Sequence, residues 1–167
     1  MVDELDIVDH NDLIIGRDLR RNVHGDPTKI HRVAHVLVFN SRGELYLQKR
    51  SYLKDVQPGK WDTSVGGHLD PGEDYQDGAV REMEEELGFR VVRLDFLYKY
   101  FHENALESEF VSTFTCVWDG VVKPDPQEIE EGRFWKLSEI DSAPDGQFTP
   151  NFLDELFRYR KWKKKAV

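Results

Sequence analysis

Cysteine is almost missing from this chain. Cys116 is the single one among 167 residues, so no internal disulfide can form and a disulfide-built secreted scaffold is excluded. Long apolar runs are missing as well: none approaches the roughly 18 residues a membrane-spanning helix requires. Basic clusters are scarce. The net charge is −9 and the one concentrated basic stretch is the tail "RYRKWKKKAV", which reads as a solvated helix end rather than a nucleic-acid face. The opening "MVDELDIVDHNDL" has no apolar core of the kind a signal peptide carries. Internal repeats, low-complexity segments and long linkers are also lacking. These absences lead us to expect one cytoplasmic domain over residues 1–167, with no membrane and no nucleic-acid partner, as a monomer or homodimer. An anionic substrate of so acidic a chain must meet local basic residues or arrive with metal ions.

What is present is a mixed pattern of strands and helices. Aromatic residues make up 12% of the chain and hydrophobic residues 39%, enough for a sizeable core. "LDIVD" and "LIIGR" flank the turn-like "HND" and predict an N-terminal hairpin within residues 1–25. "IHRVAHVLVFN" and "ELYLQKR" around "SRG" predict two long strands and a tight turn. "SYLKDVQPGKW" reads as a loop, and "WDTSV" as one short strand. Tyr75, Ala79, Met83 and Leu87 then recur every fourth residue, the apolar stripe of a helix that Gly88 would end. "VVRLDFLYKYFH", "ESEFVSTFTCVW" and "GRFWKL" are β-rich. "SEI" and "TPNFLDELFRYRKW" open further helices, with Thr149 as N-cap and Pro150 in the first turn of the second. Strands on both sides of one helix, with a terminal helix, predict an α+β fold of helices packed on a mixed sheet.

The helix from Tyr75 is unusually acidic. Glu82 lies three and four residues before Glu85 and Glu86, so the three carboxylates neighbour one another along the helix. Crowding of this kind on a helix that must also pack suits a hard, oxygen-seeking cation such as Mg²⁺ or Mn²⁺. Just ahead of it, "GHLDPGE" supplies a glycine-bearing loop beginning at Gly67, whose backbone N–H groups could face a phosphate. A phosphate-facing loop joined to a metal-holding helix is chemistry for opening phosphoanhydrides.

The stretch over residues 67–89 resembles the signature of the Nudix hydrolases. Gly67, Glu73, Arg81, Glu82, Met83, Glu85, Glu86, Gly88 and Phe89 fill its specified positions. The resemblance implies an α/β/α sandwich with the signature as loop–helix–loop, metal ligands at Glu82, Glu85 and Glu86, and a structural pair between Glu73 and Arg81. Family members cleave a nucleoside diphosphate linked to a further moiety, with divalent ions neutralising the charge that develops.

The rest of the chain is similar to a particular branch. "HRVAHVLVFNSRGELYLQKRS" and "PGKWDTSVGGH" resemble type I isopentenyl-diphosphate isomerase, which shares the fold. That resemblance implies a second metal site at His24, His31, His68, Glu107 and Glu109, of a composition suited to Zn²⁺ or Mn²⁺. It also implies diphosphate contacts from Arg20, Arg50 and Lys54. His35, in mid-strand, reads as structural, and His10 and His102 match no role. Two departures oppose isomerisation. Gly66 stands where the isomerase has a cysteine, and Asn151 where it has a tryptophan; glycine offers no proton donor and asparagine no π-face for a carbocation.

The expected activity is therefore hydrolysis of a small diphosphate compound, dependent on Mg²⁺ or Mn²⁺. Glu85, Glu86 and Glu109 are the catalytic candidates, the last two as alternative general bases. Two other readings stay open: an isomerase-like enzyme, or a non-catalytic diphosphate- or metal-binding module.

Overall fold

The computed structural model describes residues 3–166. Strands β1 (Glu4–Val8) and β2 (Ile14–Leu19) form the expected antiparallel hairpin; residues 1 and 2 of the predicted extension lie outside the described residues. A single helical turn, α1 (Arg20–Val23), follows. No periodicity announces so short a helix. Strands β3 (Ile30–Phe39) and β4 (Leu45–Arg50) then come off a tight turn, where Gly43 adopts φ 77°, a value that favours glycine.

β3 is the axis of the fold. It pairs in parallel with β8 (Ser108–Val117) along its whole length, and antiparallel with β6 (Val65–His68) over Val33–Val36. β7 (Asp95–Glu103) extends the sheet beyond β8. β4 diverges from β3 after their turn and pairs with β9 (Ile129–Trp135) and the short β5 (Trp61–Asp62). The segment "WDTSV" is thus two strand ends rather than one strand. It crosses where β3 and β4 part, and buried Ser64 spans the gap: its hydroxyl accepts from Val38 N–H at 3.0 Å and donates to the Tyr46 carbonyl.

Period-two alternation along β3 divides the core. Ala34, Val36 and Val38 pack with Ala79, Val80, Met83 and Leu87 of α2 (Tyr75–Leu87). Leu37 and Phe39 pack with Phe152, Leu156 and Tyr159 of α4 (Pro150–Lys165), together with Ile140 of α3 (Leu137–Ser142). Helices on both faces of a mixed sheet make the expected α/β/α sandwich. Burial of each of Met83, Leu87 and Phe152 contributes roughly 1.5–3 kcal/mol.

The helix ends follow their residues. Asp74 caps α2 by accepting from Asp77 N–H at 2.8 Å, and Gly88, at φ 71°, closes it. Thr149 caps α4 by accepting from Phe152 N–H at 3.1 Å, with Pro150 in the first turn. The basic residues Lys163, Lys164 and Lys165 occupy the exposed last turn of α4, where they complement its dipole.

Candidate active site

Arg81 organises the signature segment. Its guanidinium makes two parallel bonds to Glu73, Nε to Oε1 and Nη2 to Oε2, both 2.9 Å, and Nη2 also donates to the His68 carbonyl at 3.0 Å. The remaining nitrogen, Nη1, reaches Glu82 at 2.9 Å and Glu85 at 3.3 Å. One planar cation thereby ties the loop, the helix and the end of β6 together. Its hydrogen bonds to Glu73, with the Glu82 charge beside it, raise the arginine pKa further. The loop is also held from outside, because Gly72 N–H donates to Asp6 of β1 at 2.7 Å.

The helix carboxylates separate by environment. Glu84 turns outward to Arg90 at 3.0 Å, and Glu85 is largely exposed. Glu82 is partly buried under β6: a Cβ on Gly67 would come within 2.1 Å of its carboxyl carbon. Gly67 was expected to face substrate; the packing adds that it clears space for Glu82. Glu86 is the most enclosed of the set, accepting from Gln48 Nε2 at 3.1 Å and more weakly from Gly66 N–H at 3.4 Å. Burial raises the pKa of Glu82, and raises that of Glu86 well above the ordinary carboxylate value. Both would ionise more readily with a cation close by.

On the opposite face of β3 and β6 a second cluster forms from distant segments. His24 follows α1, His31 lies near the start of β3, and His68 ends β6, with ring centroids 4.9 to 5.8 Å apart. Register pairs His31 with Glu109, and their side chains approach to 3.2 Å. Glu107 precedes β8 instead of lying in it as expected, yet still joins the group. Ligand atoms of His24, His31 and His68, and those of His31, Glu107 and Glu109, lie within 4.8 Å of one another.

The chemistry of these donors fits a cation. Among the described residues, both ring nitrogens of His31 and Nε2 of His68 are buried without a hydrogen-bond partner, a cost of about 1–3 kcal/mol for each group left unpaired. Burial, with His31 and Arg20 nearby, pushes His68 down to about 3, so its ring is neutral and its lone pair available. Burial likewise lowers His24. Burial would raise Glu109, but the adjoining His31, with His68 and His35 nearby, outweighs that and holds it ionised, while burial raises Glu107. Three imidazoles and two carboxylates suit Zn²⁺ or Mn²⁺.

The basic residues are less converged. Arg20 stands near His24 and His68. Arg50 is turned to Asp62, at 3.5 Å, and to the Val56 carbonyl, and Lys54 pairs with Glu128. Reading the sequence left out Gln48, Asp62 and Glu155. Gln48 and Asp62 carry no local signal. Glu155 does carry one, since it interrupts the apolar stripe of Phe152, Leu156 and Tyr159 on α4.

A mixed-sheet α/β/α sandwich with an acidic helix docked under a glycine-bearing strand is the architecture that the signature resemblance implies. The NUDIX domain model matches residues 29–156, and the chain belongs to that family. A Yersinia pestis protein named an uncharacterized Nudix hydrolase is 31% identical over 156 residues, 93% of this chain and 85% of its own. The isopentenyl-diphosphate Delta-isomerase of Streptomyces griseus is 33% identical over 142 residues, 81% and 72% of the two chains. Among solved structures, a Deinococcus radiodurans protein aligns over 93% of this chain and 98% of its own, with TM-score 0.75 and 26% identity.

Proposed function

We propose that the protein hydrolyses the phosphoanhydride bond of a small diphosphate compound, a nucleoside diphosphate derivative foremost, with Mg²⁺ or Mn²⁺. The observation that carries this reading is the full set of signature carboxylates on α2, two of them drawn under β6 with raised pKa values. Glu82, Glu85 and Glu86 would hold one cation, and His24, His31, His68, Glu107 and Glu109 a second. Such ions supply charge neutralisation and Lewis acidity to phosphoryl transfer. The chain's own residues position and screen. Arg81 keeps the Glu82 and Glu85 oxygens aligned from one nitrogen. Gln48 fixes Glu86 through Oε2, which leaves Oε1 to receive a proton. Glu109, ionised and close to His31, is the alternative acceptor.

Incubation of the protein with nucleoside diphosphate derivatives and isopentenyl diphosphate, followed by ³¹P NMR, tests the reading. New monophosphate resonances with Mg²⁺ or Mn²⁺ are expected from at least one compound. A second reading, isomerisation of isopentenyl diphosphate, is favoured by the five-residue histidine and glutamate cluster and opposed by Gly66, which offers no side chain to move a proton. Deuterium incorporation into isopentenyl diphosphate, without phosphate release, would reverse the preference.

A further inference from the structure

Two residues beyond Val33 on the same face of β3 stands His35, a polar ring in the middle of a buried strand. Its Nδ1 lies 2.8 Å from Glu155 Oε2. Glu155 is fully buried, and the rest of its capacity is met by hydroxyls: Tyr100 at 2.7 Å, Thr113 at 3.0 Å, and Tyr98. Four donors thus enclose this carboxylate, and one of them is the imidazole of His35. A histidine that only filled the core would have both nitrogens satisfied or sealed. Here Nε2 has no hydrogen-bond partner among the described residues, and the side chain keeps 17% exposure.

The direction of Nε2 is fixed by the strand opposite. His35 pairs with Gly66 across β3 and β6, and a Cβ added to Gly66 would stand 3.1 Å from His35 Cδ2 and 3.3 Å from Nε2. The ring therefore reaches toward the space a side chain at position 66 would use. Gly66 lies between the two sites, since its N–H turns to Glu86 and the next residue but one is His68. Successive same-face residues of a strand are about 7 Å apart, a span that a diphosphate can cover.

We propose that His35 contacts the substrate of this site: Nε2–H donates a charged hydrogen bond to a phosphate oxygen of the diphosphate, and Glu155 is the positioning residue that fixes the ring through Nδ1. The proposal rests on the site being a diphosphate site, as above. It gives an acidic protein a cation where Arg50 and Lys54 are engaged by Asp62 and Glu128. The charged and titratable groups facing His35 favour the imidazolium. Burial lowers the His35 pKa, but Glu155 from α4, Glu109 from β8 and Asp62 from β5 outweigh it, and the net shift is upward. Tyr98 and Tyr100 from β7 are held neutral by burial and by Glu155. Arg158 lies over the Tyr100 ring at 3.8 Å and pairs with Asp154 at 2.9 Å.

The test uses the full chain with Mg²⁺ and methylenediphosphonate, a diphosphate that cannot be hydrolysed, followed by ¹⁵N NMR of the histidine rings. The His35 Nε2 resonance is expected to move on titration, and His35→Gln to weaken binding by roughly 10- to 100-fold, the range of one charged hydrogen bond. Glu155→Gln, which keeps the shape of the core, is expected to move the alkaline limb of the binding profile to lower pH, because the ring then loses its proton sooner. Saturable binding with an unmoved His35 resonance, no binding at all, or a His35→Gln protein with unchanged affinity and pH profile would each overturn the proposal. The hydrolase reading fails separately: a wild-type protein that binds the probe through His35 yet hydrolyses no diphosphate refutes that reading and leaves this one standing.

Discussion

Two glycines on one short strand do opposite jobs. Gly67 faces α2, where a Cβ would meet the Glu82 carboxyl at 2.1 Å, and Gly66 faces His35. The Glu82 carboxyl is the far end of a flexible side chain, so Gly67→Ala is expected to displace it and leave the sheet intact. Melting temperature should change by only a few degrees while the apparent affinity for Mn²⁺, followed by electron paramagnetic resonance, falls at least about tenfold, the loss of one aligned ligand or its support. Gly66→Ala presses on His35 instead. A double-mutant cycle on diphosphate binding should show Gly66→Ala costly in wild type and nearly neutral in His35→Ala, because residues in contact do not add. Equal costs in the two backgrounds would mean that the ring and position 66 are independent. Neither role is visible in the letters "VGGH", which state only that side chains are missing there.

At the scale of elements, α2 was the most legible part of the chain. Its stripe and stop are local, with Ala79, Met83 and Leu87 buried and Gly88 closing it, while the Asp74 cap is a feature the structure adds. The pair Glu73 and Arg81 was legible too, through the signature spacing. Breaking it leaves a partly buried guanidinium or carboxylate without its partner, and Arg81→Ala is expected to cost about 2–3 kcal/mol, read as a lower urea midpoint. The helix α1 and the break in "WDTSV" were illegible because their causes are tertiary. Ser64 joins β3 to β4 only once those strands have diverged.

The N-terminal hairpin was legible as a hairpin, but its attachment was not. Its turn carries Asp12 at φ 61°, bonded to Arg32 at 2.7 Å, Lys99 at 2.7 Å and Tyr75 at 2.9 Å. These partners come from β3, β7 and α2, so a single side chain fastens the hairpin to three elements. Burial opposes ionisation of Asp12, but Lys99, Arg32 and Tyr75 together lower its pKa below the ordinary 3.8. The bonus for docking is therefore complete above pH 3.8 and fades as pH falls from there through the lowered folded value. Hydrogen exchange should show β1 and β2 opening ahead of β3 once the pH falls below 3.8, and Asp12→Asn should reproduce that opening at neutral pH. Simultaneous loss of protection in β1, β2 and β3 would mean that the hairpin has no separate fastening.

Seen as a whole, the molecule brings five histidine and glutamate candidate ligands from three parts of the chain onto one face, and the signature carboxylates onto the other. The resemblance named those ligands by position. Periodicity could place only Glu107 and Glu109 together, and the dyad of His35 and Glu155 appears only when β3 and α4, 120 residues apart, are packed. The sequence offered one overlooked hint of it, a glutamate in the apolar stripe of α4.

The central claim is that the acidic helix serves phosphoanhydride hydrolysis through a bound cation. Its most direct measurement is phosphate release from the compound the wild-type protein turns over best, compared between wild type and Glu85→Gln/Glu86→Gln, with Mg²⁺ present and after chelation. The account predicts turnover that stops on chelation, returns on adding Mg²⁺ or Mn²⁺, and falls at least about a hundredfold in the double variant, whose fold and diphosphate binding persist. Undiminished turnover in the double variant, or turnover indifferent to chelation, would contradict it.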